Sequence, residues 1–437
     1  MAFALCSFLM GSAHAQPPPA ASPSLSADDP FLERVEHDSF RYFWETADPA
    51  TGLIPDSDRP GSPSSIAAVG FGLTAICIAD SRHWVTHDEA YQRVVKILQT
   101  AATRLKREHG FFYHFVEMDT GARAWDSEVS SIDTALFLAG ALMAAEYFHG
   151  TEVERLAHQL YEHVDWAWMM DGGLLMRMGW RPESGFLDNQ WDWYSEGMLA
   201  YALAIGSPTH PIAPKTWWYW KRPTGTYGGY RVVYSYFGSL FTYQFAQAWI
   251  DFRHVPDGDL NYWDNSINAA LANRHFCMDH AGEHATYGED YWGLTAGDGP
   301  TGYKNYGALP AETAMHDGTI NPYGMVAAVP LVPYVAIPSI KTLYAAYGEK
   351  VYGAYGFRAG FNLERNWWSR NYLGIDQGVS ILMLENYRTG MVWDTFMRSP
   401  YIAAWKQRCF PPAPPTDAAA DTRISPGVSD GGHAHGT

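Results

Sequence analysis

The 437-residue chain carries 47 acidic and 30 basic side chains, a formal charge of -17 that argues against nucleic acid, anionic membrane surfaces and acidic polysaccharides as partners. Hydrophobic residues make up 47% and charged ones only 18%, ample for a sizeable core in one large domain or two smaller ones. Aromatics reach 15%, with 18 Trp and 27 Tyr; much of this belongs in a core, and such flat rings are also what a carbohydrate cleft stacks on sugars.

Residues 1–15 join an apolar run, Phe3 to Met10, to Ala13-His14-Ala15, a small-residue cleavage pattern. They read as a secretory signal peptide, which puts the expected location in the periplasm or outside the cell. No stretch is apolar for the about 18 residues that a membrane span needs. Residues 16–28, rich in Pro, Ala and Ser, read as a linker, and residues 411–437 as a disordered tail. The folded, catalytic part is expected over 29–410. Cys77, Cys277 and Cys409 are too few for a disulfide framework, and no clustered spacing of metal ligands occurs, so neither metal nor cofactor is expected. Oligomeric state is not encoded in any motif.

Asp29-Pro30 is an N-cap with proline at N1 and opens a helix to Thr46. Ser64 to Asp80 is rich in Gly and Ala, which let helices approach closely, and reads as an inner helix. Thr86-His-Asp-Glu89 is a capping box opening an amphipathic, outer helix through Val94, Leu98 and Leu105. Phe111–Glu117 and Ala122–Trp125 read as a hairpin. Ser130 to Phe148 is again apolar and small, followed by a second capping box, Thr151-Glu-Val-Glu154, and an outer helix to about Met169. Residues 188–206 bring Asp192, Glu196, Trp191, Trp193 and Tyr194 to the start of an apolar helix, placed over 192–206. Further helices are expected at 238–251, 259–279, 322–332, 338–347, 376–387 and 391–401. Gly288 to Gly307 is a Gly-rich loop with Glu289, Trp292, Asp298 and Tyr303. The alternation predicts an all-α fold, an (α/α)6 toroid of six helical hairpins with small β-hairpin and Gly-rich loop insertions.

In such a toroid one rim gathers the loops that lead into the inner helices. Asp133 lies there after Glu128, Glu196 opens the next inner helix, Asp317 precedes Pro322, and Asp376 begins the last. Acids in first helical turns are favoured by the helix dipole in any case, so it is their convergence on one rim that points to sugar-cleaving chemistry, which needs two carboxyl groups around one bond. Glu196 is assigned as the acid, its pKa raised by burial among Trp191, Trp193 and Tyr194 and by a nearby carboxylate. Asp133, Glu128, Asp317 and Asp376 all qualify as its partner. Trp191, Tyr194, His114, Glu289, Trp292, Tyr303 and His316 are the candidate substrate-binding residues.

These stretches resemble a known family. Ile66-Ala-Ala-Val-Gly-Phe-Gly-Leu-Thr-Ala75, Glu128-Val-Ser-Ser-Ile-Asp-Thr-Ala135, Asp192-Trp-Tyr-Ser-Glu196, Tyr291-Trp-Gly-Leu-Thr295, His316-Asp-Gly-Thr319 and Gly374-Ile-Asp-Gln-Gly378 are similar to the glucoamylase-like domain of glycoside hydrolase family 144 and of cyclic β-1,2-glucan synthases. The resemblance spans about residues 31–400. It implies an (α/α)6 toroid, endo-β-1,2-glucanase-like action on a neutral β-glucan, Glu196 as the essential acid, and Glu128 and Asp133 as partners. One position departs: where the family has an Asp after Tyr355-Gly-Phe357, this chain has Ala359, a change that bears on glycan preference. Two other readings stand beside this one. A polysaccharide lyase would need a basic groove, for which Arg177, Arg181, Lys221 and Arg222 are available. A non-catalytic glycan-binding protein in glucan synthesis or export is the other.

Overall fold

A computed structural model describes residues 26–255 and 257–411; the signal peptide, most of the linker and nearly all of the tail expected from the sequence lie outside the described residues. The described chain is largely helical, with short strand pairs between helices. The helices are α1 (Pro30–Glu45), α2 (Ile66–Ser81), α3 (His87–Thr103), α4 (Ser131–Tyr147), α5 (Glu152–Glu162), α6 (Trp166–Met169), α7 (Met198–Gly206), α8 (Phe241–Trp249), α9 (Tyr262–Asp279), α10 (Tyr323–Val326), α11 (Pro333–Tyr347), α12 (Gly374–Arg388), α13 (Met391–Phe396) and α14 (Pro400–Cys409).

Two kinds of helix follow from two kinds of sequence. In α2 every residue from Ile66 to Asp80 is buried, and α7 is buried throughout, as expected for helices apolar on all sides. By contrast α3 buries only Ala90, Val94, Ile97, Leu98, Thr100 and Ala101, the stripe of an amphipathic helix. Its capping box forms as predicted: Thr86 caps the Glu89 N–H, and Glu89 accepts from the Thr86 N–H at 2.9 Å. Glycines let α2 and α4 touch backbone to backbone. Gly70 faces the Leu136 carbonyl and Gly140 faces the Gly70 carbonyl, leaving no room for a Cβ at either position.

The buried helices meet in sequence. Helix α2 packs on α4, α4 on α7, α10 on α12, and α12 back on α2. The segment ahead of α7 reaches α8 through the Tyr194 ring against Tyr243, centroids 5.2 Å apart. Between α8 and α10 the link is the Gln244 amide donating to the Gly324 carbonyl at 2.8 Å. The short α13 touches α2, α4, α8 and α12 together.

Several boundaries differ from the sequence reading. Helix α7 starts at Met198, so Asp192 and Glu196 precede it rather than occupy its first turn. Helix α10 is one turn long, because the chain from Ala327 breaks into turns. Helix α11 starts five residues earlier than predicted, with Pro333 at its N-terminus and Pro338 tolerated inside it. The second capping box does not form: the Glu154 carboxylate accepts from the Gly150 N–H at 2.7 Å, while Thr151 caps Val153. The outer helix after it ends at Glu162 rather than near Met169. The predicted 111–125 hairpin closes around its turn, with Val116 bridging Arg123, the Glu117 N–H on the Ala122 carbonyl at 2.7 Å and the Ala124 N–H on the Phe115 carbonyl at 3.0 Å, and its first arm and the strand after it also pair at longer range. Phe115–Val116 pairs with Ser64–Ser65, and Val129–Ser130 with Gly179–Trp180. These pairings brace the N-termini of α2 and α4.

Candidate active site

The N-termini of α2, α4 and α12, with the segment before α7, bring a group of carboxyl side chains together. His114 is pinned between two of these ends. Its carbonyl accepts from the Ile66 N–H at 3.1 Å, and its N–H donates to the Glu128 carbonyl at 2.9 Å. Its ring then joins two acids, with Nδ1 3.0 Å from Glu128 Oε1 and Nε2 3.4 Å from Asp133 Oδ1. Burial disfavours the charged imidazole, but Asp133 and Glu128 outweigh it and raise its pKa. Glu128 is held ionised, at about 2, by the His114 hydrogen bond above all, with Arg181 3.3 Å away assisting. Asp133, the third residue of α4, is buried and takes a hydrogen bond from the N-cap Ser130 hydroxyl.

Glu196 is different. It is buried just before Gly197, its Oε2 has no hydrogen-bond partner, and burial raises its pKa to about 7, with Asp133 adding to the rise. It opens on a cavity of about 790 Å³ whose walls include Trp191, Trp193, Lys221, Tyr236, Asn305 and Glu312. Trp191 is fixed by its indole N–H donating to Ser131 Oγ at 2.9 Å.

Asp376, the third residue of α12, is wholly buried and neither carboxyl oxygen has a partner. Burial, then Asp298 and Asp56, push its pKa well up. Those two acids were not singled out from sequence. Asp56 is raised to about 6, chiefly by burial. Its carbonyl accepts from the Gly374 N–H at 2.8 Å, which ties its loop to the start of α12. Asp298 is buried and ion-paired with Arg59. Periodicity carries no signal for either, since Asp56 sits in a loop and Asp298 on a three-residue hairpin strand, and only tertiary contacts bring them to the rim. Tyr303 stands on the hairpin Gly297–Gly299/Gly302–Lys304, opposite Asp298. Half its surface is exposed, but its hydroxyl end is buried, and that burial, with Asp376, Asp56, Asp298 and Glu196 adding to it, raises its pKa.

Not every predicted residue joins this group. Asp317 lies in a polar network of its own, accepting from Thr319 at 2.6 Å, Tyr306 at 3.3 Å and Lys304 at 3.4 Å. Burial opposes its ionisation, but these partners hold its pKa below the ordinary value. Trp292 is fully buried with its indole N–H on Ser339, a core residue that offers no face to a ligand. Glu289 is an exposed partner of Arg274 at 2.7 Å. His316 packs edge-on among Phe276, His280 and His284. Tyr194 borders the cavity, but its side chain is buried against Tyr243 and Tyr262 and forms the wall behind Glu196. Among the described residues no three His, Cys, Asp or Glu side chains are grouped to hold a metal ion.

The arrangement therefore offers one carboxyl that is half-protonated near neutrality, one carboxylate held ionised, and further acids around the same opening. That is the division of labour that acid–base hydrolysis of a glycosidic bond requires.

Residues 188–400 match a family model described as "Putative glucoamylase". The chain is 29% identical over 413 residues to an exo β-1,2-glucooligosaccharide sophorohydrolase of Parabacteroides distasonis, covering 85% of this chain but 57% of that protein. The crystal structure of an endo-β-1,2-glucanase from Chitinophaga pinensis superposes with a TM-score of 0.81 at 27% identity, over 88% of this chain and 98% of that one. A β-1,2-glucanase structure from Parabacteroides distasonis gives a TM-score of 0.82 at 27% identity, over 87% of this chain and 60% of that one. Together with the motifs at Glu128–Ala135, Asp192–Glu196 and Gly374–Gly378, these matches make the chain similar to the glucoamylase-like family.

Proposed function

We propose that the protein is a glycoside hydrolase that cleaves β-1,2-linked glucan by acid–base carboxylate catalysis. The observation that carries this reading is Glu196: buried at the floor of an aromatic-walled cavity, with a free carboxyl oxygen and a pKa of about 7. The relatives that share its fold act, by name, on β-1,2-linked glucose. Protonated Glu196 gives its proton to the departing glycosidic oxygen as the bond to the anomeric carbon breaks. Water supplies the oxygen that replaces it, and its proton passes to a second carboxylate at the same rim. Asp133, paired with His114 and felt by Glu196, is that carboxylate. Asp376 and Asp56, pushed towards their neutral forms, are hydrogen-bond partners for sugar hydroxyls.

The toroid belongs to the same proposal. Packing runs from α7 through α4, α2 and α12 to α10, and two side-chain links, Tyr194 ahead of α7 onto Tyr243 of α8 and Gln244 of α8 onto Gly324 of α10, support closing it into a ring with the acids at one rim. We place the described residues in one catalytic domain, secreted or periplasmic, where a polymeric glucan is accessible. The test is a product assay on linear β-1,2-glucan. New reducing ends and β-1,2-linked oligosaccharides are expected from the wild type and not from Glu196→Gln. Binding of the glucan without turnover, or unsaturated products from a uronic-acid polysaccharide with none from β-1,2-glucan, would overturn the assignment.

A further inference from the structure

Hydrolysis leaves Asp133 with a proton to lose. At the end of each cleavage it holds the proton taken from water, and it must release that proton before it can act again. Asp133 is buried at the start of α4, and the Ser130 hydroxyl donates to its Oδ2. Its Oδ1 faces His114, the one basic side chain that pairs with it among the described residues.

The His114 ring is held in one orientation. Backbone bonds to Ile66 and Glu128 fix its main chain, and Phe115 stacks on the ring, with centroids 3.8 Å apart and planes 17° from parallel. Nδ1 lies 3.0 Å from Glu128 Oε1, and Arg181 holds the other Glu128 oxygen at 3.3 Å. An ionised carboxylate accepts and does not donate, so Nδ1 keeps its hydrogen whether the ring is charged or neutral. The neutral ring therefore turns the lone pair of Nε2 towards Asp133 Oδ1, 3.4 Å away, a contact of the kind that tightens when substrate is bound. Solvent still reaches 30% of the His114 side chain but only 10% of that of Asp133. In a catalytic triad, too, a carboxylate sets the tautomer of an imidazole and the imidazole moves the proton.

We infer that His114 is a positioning residue that orients Asp133 and carries the proton of Asp133 to solvent after each cleavage. The inference rests on the proposed hydrolase reading, with Asp133 as the group that takes the proton from water. In the reset step the Asp133 O–H bond breaks as an Nε2–H bond forms. Asp133 is again a carboxylate, and the imidazolium stands between it and Glu128, with Asp56 adding to the negative field. The ring then gives its Nε2 proton to water, and Glu196 regains a proton from water, so the protein is unchanged over one cycle. A ring that is charged at rest sheds its Nε2 proton first, because protonation of Asp133 removes one of the charges that favour the imidazolium.

The experiment measures turnover of linear β-1,2-glucan by the full chain carrying His114→Ala or His114→Gln, with and without added imidazole. In His114→Ala, kcat should fall by on the order of 10² with KM nearly unchanged, since the lost step follows binding. Imidazole should restore the rate with a saturating concentration dependence, which the repair of a merely structural defect would not show. His114→Gln fills the space and carries the test if the smaller side chain unsettles the fold. Its kcat should fall to a similar degree at an unchanged melting temperature, with a larger solvent deuterium isotope effect and no response to imidazole. Wild-type kcat in folded His114→Gln, a loss carried by KM alone, or a folded His114→Ala that imidazole leaves inactive overturns the relay. In each of those cases the wild type still cleaves the glucan and the hydrolase reading stands. A wild type that releases no product from β-1,2-glucan overturns that reading, and this inference with it.

Discussion

Helix α12 carries a fully buried acid at each end, and the two are treated in opposite ways. At its C-terminal end Glu385 is enclosed by partners: Arg82 at 2.8 Å, the Thr389 hydroxyl, and the neighbouring Glu36, itself paired with Arg388. At its N-terminal end Asp376 has no partner for either oxygen. Burying a carboxylate costs several kcal/mol unless charge and hydrogen bonds compensate. The network around Glu385 compensates and locks α1, α2 and α12 together. Around Asp376 nothing in the chain does so, and Glu196 shares the condition. Glu196, left with a free oxygen where it borders the cavity, is a group kept for a ligand.

Four predictions test that contrast, from the largest effect to the smallest. Glu196→Gln should cut turnover on β-1,2-glucan by on the order of 10²–10⁴, with a melting temperature equal to or above that of the wild type. An aryl glycoside with a good leaving group, if accepted, should recover part of the rate. A loss of stability with turnover preserved would reassign Glu196 to structure.

At the other end, Glu385→Ala strips the half-buried Arg82 of its close carboxylate and opens a gap beside the buried Glu36–Arg388 pair. It should destabilise the protein by about 3–5 kcal/mol, as read from denaturant unfolding. Asp376→Asn should do the reverse, lowering turnover while leaving stability unchanged or improved. Equal destabilisation by the two substitutions would erase the distinction between the ends of α12.

The third prediction is the pH dependence. Glu196 at about 7 and Asp56 at about 6 bind protons in the folded state that the unfolded chain has already released. Stability from these groups is therefore complete below the unfolded carboxyl range. It is lost as pH rises towards 7, on the order of 2 kcal/mol for Glu196. Glu128, at about 2, acts in the opposite direction: its contribution is present above the unfolded range and lost as pH falls towards 2. Thermal melts should show a maximum in mildly acidic buffer and a decline towards pH 8, and Glu196→Gln should flatten that decline. Turnover should fall as pH rises through about 7, where the acid loses its proton.

Smallest is the fully partnered surface. Thr86→Ala removes one side of the capping box on α3 and should cost about 1 kcal/mol, with turnover unchanged. A drop in activity would mean that the outer helices communicate with the cleft more strongly than their packing implies.

Local rules were legible where a helix carries its own signals. The small-residue run Ile66–Asp80, the Thr86–Glu89 box and the Asp29-Pro30 cap each state their structure within one or two turns, and the folded chain follows them. Chemistry was legible where an acid sits beside such a signal, as Asp133 and Asp376 do in first helical turns. Glu196 was placed slightly wrong, since it lies before α7 and not in it, while its raised pKa has the cause read from the sequence, burial first and Asp133 beside it.

What the sequence by itself determined was the set of helices, their buried or amphipathic character, and the acids nearest their starts, because each follows from contacts within a few residues. Only the tertiary structure decided which of those acids share one opening. It added Asp56 and Asp298 through loop pairings that span hundreds of residues, such as the bond from Gly374 to Asp56. It sent Asp317 into a network with Lys304 and Thr319, Trp292 into the core and Glu289 to the surface beside Arg274. The physical reason is that a carboxyl group's protonation and role depend on what lies within a few ångströms of it, and those neighbours come from elsewhere in the chain.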